Sequence, residues 1–314
     1  MGINEADLSK TAGLKWERRA KTQSALPFER KQTVASRVSG ALFRAILVGV
    51  LFALPAFVVP GIASQNGTVI FIISLSMMIW TFMEYASVSP SLIEFRNAPP
   101  FNRIRYMSLL VMVYCLSLIQ SHMFVPHNTT TFIHNVGAII GFSIDQPGSP
   151  VRLMMMQFPL VADNIPYATF LASTGIAYFI SLVSLVFFMA VFFLRRWPSN
   201  KEPFNVWLNM PNFDPTTTDD VVGRLSRDAR INIVLGFFLP FLIPPVIGVL
   251  FRFVGVSPFN DPYLMIWVTA AWAFLPSGMI MRGVAISRVA QMAANARQMQ
   301  EEDDHDEIAS VPGW

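Results

Sequence analysis

The sequence predicts an all-α integral membrane protein, a six-transmembrane-helix bundle with the N-terminus and C-terminus both cytoplasmic. Three observations carry this. Six apolar runs of about 20 residues or more recur along the chain, the length that a helix rising about 1.5 Å per residue needs to cross a hydrocarbon core of about 30 Å. Of the 314 residues 53% are hydrophobic and 14% charged, where a soluble domain carries about 25% charge. The basic residues are also lopsided. With the N-terminus inside, the inner segments hold nineteen Lys and Arg and the outer ones a single Arg, a strong positive-inside bias. The other three, Arg44, Arg252 and Arg282, fall near span ends, where a long side chain can snorkel to water.

Residues 1–40 form a basic cytoplasmic arm with eight Lys and Arg against four acids and no long apolar run. Such an arm suits anionic headgroups or acts as a topology signal. Forty polar-rich residues before the first span exclude a cleavable signal peptide. The first span, 41–63, places Ala41, Ala45, Gly49 and Ala53 at every fourth position, a seam where a second backbone can approach closely. Pro55 and Pro60 are expected to kink its last third. Only residues 64–67 separate it from span two, 68–88, so the two form a tight hairpin.

Antiparallel pairing across that hairpin puts Arg44 and Glu84 at similar depth, and an ion pair between them is expected. Span three covers 106–125. The connection 126–167 contains two apolar pieces of 11 and 9 residues, 132–142 and 153–161, too short to cross. They lie in the interface or re-enter partway, with Asp145-Gln-Pro-Gly-Ser-Pro between them as turn chemistry. Span four, 168–194, repeats the small-residue spacing with Ser173, Ala177 and Ser181. The cytoplasmic loop 195–230 offers N-cap residues and acids at Thr217–Asp220 for a helix leading into span five, 231–254. Span six, 262–283, leads into the cytoplasmic tail 284–314, helical at first and then acidic. The tail's apolar stripe is expected to pack on the basic arm or on a partner.

Chemistry-bearing motifs are sparse. The sequence shows no Gly-rich phosphate loop, nucleophile elbow or HExxH. The central third of each span lacks Asp, Glu, Lys, Arg and His, which weighs against a proton relay. Tyr114, Ser117, Gln120, Ser173, Thr174, Tyr178 and Thr269 are the polar groups a neutral solute could use. Three histidines, His122, His127 and His134, gather in the external region, but spacings of five and seven match no familiar metal pattern. The lone Cys115 excludes a disulfide framework within the chain. The basic isoelectric point near 9.2 is explained by the membrane flanks and implies no nucleic-acid partner.

The partners expected are the lipid bilayer and a membrane-protein partner or second copy, in a bacterial-type inner membrane; a cofactor cannot be named. The leading functional expectation is a non-catalytic accessory, scaffold or assembly component of a larger membrane complex. A carrier or channel for a small, mostly neutral solute is the alternative, and a membrane-embedded enzyme using the external histidine loop is the third.

Overall fold

The computed structural model describes residues 34–87, 92–96, 100–157, 166–195, 210, 220–254 and 261–309. The arm before residue 34, most of loop 195–230 and the last five residues lie outside these. Among the described residues all regular structure is helical. The helices are α1 (Val34–Val58), α2 (Ile62–Ala86), α3 (Phe101–His122), α4 (Asn128–Ile144), α5 (Pro150–Met155), α6 (Tyr167–Arg195), α7 (Val221–Val254) and α8 (Pro262–Ala309). Six of them, all but α4 and α5, are long and apolar enough to cross a membrane. This is the build of a multi-pass membrane protein.

Two antiparallel hairpins, α1–α2 and α7–α8, flank α3 and α6. One end of the bundle is basic, carrying Arg44, Arg103, Arg105, Arg230 and Arg282. The other carries His122, His127, His134 and Asp261. Trp272 fixes the middle. It is ten residues from both Pro262 and Arg282, hence about 15 Å from each end of the span. Its Nε1 donates to the Pro240 carbonyl at 3.0 Å. That carbonyl would ordinarily accept from residue 244, but Pro244 has no N–H to give, so the indole supplies the missing donor. Tyr178 of α6 stacks on the other side, ring centroids 5.7 Å apart.

Two boundaries and one side-chain contact differ from expectation. The first hairpin turns at Val59–Gly61 and not at 64–67. Pro60 cannot extend the helical ladder, and Gly61 takes φ +87°, a left-handed conformation that Gly adopts without penalty. Residues 64–67 are instead the first turn of α2. Its Asn66 Nδ2 reaches Asp261 Oδ2 beside the start of α8 at 2.5 Å. Helix α3 starts five residues early, which brings Arg103 and Arg105 onto it. Arg282 does not snorkel alone: its Nε and Nη2 chelate the Glu94 carboxylate at 2.5 and 2.7 Å.

Helix α7 runs unbroken from Val221, and Asp220 accepts from the Gly223 N–H at 2.8 Å, a short acidic cap of the kind that satisfies first-turn donors. Helix α8 likewise continues past the span to Ala309. Its stripe of Ile286, Val289 and Ala290 is buried in a cluster with Leu225, Ala229, Phe188 and Phe101. This part of the tail therefore packs within the chain on α7, α6 and α3; the expected contact with the basic arm lies outside the described residues. Burying the stripe removes apolar side chains from water at about 25 cal/mol per Å².

Candidate functional site

The most unusual local structure is the segment between α3 and α6. The chain leaves α3 at the histidine end, turns, and runs back into the bundle as α4. His127 caps α4: its Nδ1 accepts from the Thr130 N–H while the Thr130 hydroxyl accepts from the His127 N–H, a reciprocal arrangement that satisfies two end donors. Helix α4 then lies alongside α6 in the same direction. His134 meets Thr169 at 3.3 Å, Gly137 meets Ala172, and Gly141 meets Gly175. The approach is so close that a Cβ on Gly141 would lie 2.5 Å from the Leu171 carbonyl oxygen, and one on Gly137 would lie 2.8 Å from that of Ala172. Only glycine permits it.

This register sets the depth of the turn. Ile144 lies three residues beyond Gly141, about 4–5 Å further in. That brings the end of α4 level with Tyr178, and so with Trp272. The return limb gives the same level. Gln157, just past α5, packs against Gly248 of α7, eight residues or about 12 Å from Pro240. Pro150 is seven residues earlier, so α5 starts about 10 Å deeper, again near Trp272. The α4–α5 unit is thus a re-entrant hairpin, entered from the histidine end, with its turn near mid-depth.

Non-helical backbone at that depth must satisfy its own polar groups. Much of it does. The Asp145 N–H donates to Gly141 O, Gln146 N–H to Ile144 O and Ser149 N–H to Gln146 O. Ser149 Oγ caps α5 by accepting from the Arg152 N–H at 3.0 Å, Pro147 and Pro150 have no N–H to place, and Gly148 absorbs φ +81°. Across the turn Arg152 Nη1 meets Asp145 Oδ2 at 3.1 Å. The side chain of Asp145 is 10% exposed and that of Arg152 47%. The other carboxylate oxygen, Oδ1, is buried without a partner. An ion pair therefore sits near mid-depth and opens sideways onto the bundle's flank. Phe132, Ile139 and Phe142 on α4, and Met156 just past α5, are also exposed.

The sequence-derived candidates are distributed as follows. His122 and His134 pack with tilted rings, centroids 4.6 Å apart, while His127 is used as a cap. Among the described residues no group of three potential metal ligands forms. Six of the seven polar side chains enter the interior between α3, α6 and α8; Tyr114 points outward. Ser117, Ser173 and Thr174 donate to carbonyls of their own helices. Gln120 Nε2 touches Met265 Sδ at 3.1 Å, and Gln120 Oε1 and Thr269 Oγ1 are buried without partners. Ala41, Ala45 and Gly49 are buried, Gly49 against Met78 of α2, and Ala53 is half-buried. Ser173, Ala177 and Ser181 are all buried, but the closest helix contact uses their neighbours Ala172 and Gly175.

The expected Arg44–Glu84 ion pair does not form. Arg44 turns back to donate to Gly40 O at 2.8 Å and lies over the Tyr85 ring. Glu84 accepts from the N–H groups of Leu92 and Ile93, loop donors that need an acceptor at the end of α2. Arg44 thus reaches Tyr85, the residue after Glu84, and the loop takes the carboxylate.

Sequence reasoning passed over Gly137, Gly141, Gly175, Asp145 and Arg152. A signal was present in the Gly-x-x-x-Gly spacing of 137 and 141, and in an acid and a base flanking a Pro-Gly turn between short apolar pieces. The chain matches no protein-family model, no curated protein and no solved structure.

Proposed function

We propose that this protein is a non-catalytic component of a larger membrane assembly, with a protein partner or second copy covering the outer face of the α4–α5 hairpin. One observation carries the reading: the Asp145–Arg152 pair lies near mid-depth and is half open to the flank of the isolated chain. Facing lipid there, a charged side chain costs about 2.5–3.5 kcal/mol even on the mildest scale. Irregular backbone at such depth is tolerated where protein or a water-filled cavity covers it. The exposed Phe142 and Ile139 beside the pair favour protein. In this reading the basic end is cytoplasmic in a bacterial-type inner membrane, by the charge asymmetry of the loops.

Site-specific photo-crosslinkers at positions 139, 142 and 156, in the native membrane, test it. Adducts to one protein of defined mass from all three positions, absent from positions 71 and 237 on other flanks, support the reading. Adducts to lipid alone contradict it. A second reading rests on the unpartnered Gln120 Oε1 and Thr269 Oγ1: a carrier or channel for a small neutral solute, its polar path between α3, α6 and α8. Solute-dependent thermal stabilisation of a chain purified as a lone monomer, lost in Thr269→Val, would favour that alternative.

A further inference from the structure

A second polar cluster lies at the basic end, away from the hairpin. Arg37 and Arg44 come from α1, Tyr85 from the end of α2, Arg96 from the following loop and Arg105 from α3. Arg44 sits 4.8 Å from the Tyr85 ring centroid. Arg44, Arg96 and Arg105 are all close enough to Tyr85 to act on it electrostatically, and Arg37 and Arg44 act likewise on Arg96. Four guanidiniums from three elements thus share one patch.

The neighbouring acids offset their mutual repulsion only in part: Glu84 attracts Arg96 and Glu94 attracts Arg105, but each carboxylate is shared with other donors. Glu84 accepts from backbone N–H groups of the loop, and Glu94 is chelated by Arg282. Arg44 and Arg96 donate to the backbone carbonyls of Gly40, Glu84 and Ser87, contacts that hold the side chains in place. Arg37 and Arg105 each have a buried Nε with no acceptor. Arg105 packs over the Phe101 ring at 5.2 Å and against Gly278, six residues or about 9 Å from Trp272. Arg282 marks about 15 Å on the same scale. The patch therefore spans the boundary between hydrocarbon and headgroups.

We infer that this patch binds a phosphate-ester anion, and that its source is the headgroup of an anionic phospholipid in the leaflet at the basic end. A phosphate offers several acceptor oxygens to planar guanidinium forks and is the species that matches them best. Basic pockets between membrane helices on the cytoplasmic side take such headgroups.

The test uses the full chain purified in a neutral detergent. Its thermal unfolding is followed while phosphatidylglycerol, phosphatidylcholine or inorganic phosphate is added. Phosphatidylglycerol is expected to raise the midpoint saturably and phosphatidylcholine to leave it unchanged. Arg37→Gln and Arg105→Gln are each expected to raise the half-saturating lipid concentration about tenfold, the loss of one charge-assisted contact. Arg103→Gln removes an exposed charge from the same helix as Arg105 and is expected to respond like the parent. If Arg105→Gln fails to fold, Arg37→Gln carries the comparison. Protection by inorganic phosphate without the lipid would keep the phosphate site and overturn the lipid as its source. No saturable protection by either, or equal responses in the parent and the Arg37 variant, overturns the inference.

Discussion

Adding one methyl group to Gly141 tests how the hairpin is docked. A Cβ there would lie 2.5 Å from the Leu171 carbonyl oxygen, short of the 3.4 Å at which ordinary contact begins. A close-packed helix pair cannot absorb that locally, so α4 must withdraw by about 0.9 Å. Overpacking of this kind costs about 1–3 kcal/mol. Ala gains up to about 1 kcal/mol over Gly in helix propensity, leaving a net loss of up to about 2 kcal/mol. Gly67 in α2 is the control, because nothing lies within 4 Å of its Cβ position. There the same substitution keeps the propensity gain alone and should stabilise. Gly175→Ala intrudes on the same space as Gly141→Ala, so the double variant should lose less than the two singles added. Unfolding midpoints in mild detergent measure all four. A Gly141→Ala chain as stable as Gly67→Ala would refute the packing argument.

Other consequences follow from single contacts. Trp272→Phe leaves the Pro240 carbonyl without a donor and should cost about 1–3 kcal/mol, measured by the same unfolding assay. Arg282→Lys keeps the charge but loses the fork that chelates Glu94; it should destabilise by about 1.5–3 kcal/mol, and Glu94→Gln should add little further loss. In the Asp145→Asn, Arg152→Gln cycle the double variant should lose less than the sum of the singles by about 1 kcal/mol, since each single strands a partner at depth. Additive losses there would count against the pair.

The spans were legible because apolar length and loop charge are additive properties of sequence. The six helices fall where the runs lie, and mid-bundle polar groups such as Ser117 and Thr174 turn inward as their helix faces require. Two kinds of feature were not legible. Turn position depends on local backbone competition: Pro60-Gly61 ends α1 before the polar 64–67 stretch that reads as a loop. Partner choice depends on donors elsewhere in the chain. Leu92 and Ile93 took the Glu84 carboxylate, and Glu94 took Arg282. The hairpin fell between these cases. Apolar pieces of 11 and 9 residues allow either an interfacial position or re-entry, and the glycine contacts on α6 are what set the turn deep in the bundle. With the turn at the level of Tyr178, its acid and base become the charged groups near mid-bundle that the central thirds of the spans lack.

The depth of that turn is the central claim, and a spin label measures it most directly. In a Cys115→Ala background, nitroxide labels at exposed Gln146, at Phe179 beside mid-level Tyr178, and at Asn128 at the mouth of the hairpin would be compared in bilayers by collision with oxygen and with a water-soluble nickel complex. The account predicts that the label at 146 reports a depth within a few Å of that at 179, about 24 Å below that at 128. A label at 146 as accessible to the nickel complex as the one at 128, in single chains and in native membrane alike, would place the turn outside the membrane and contradict the account.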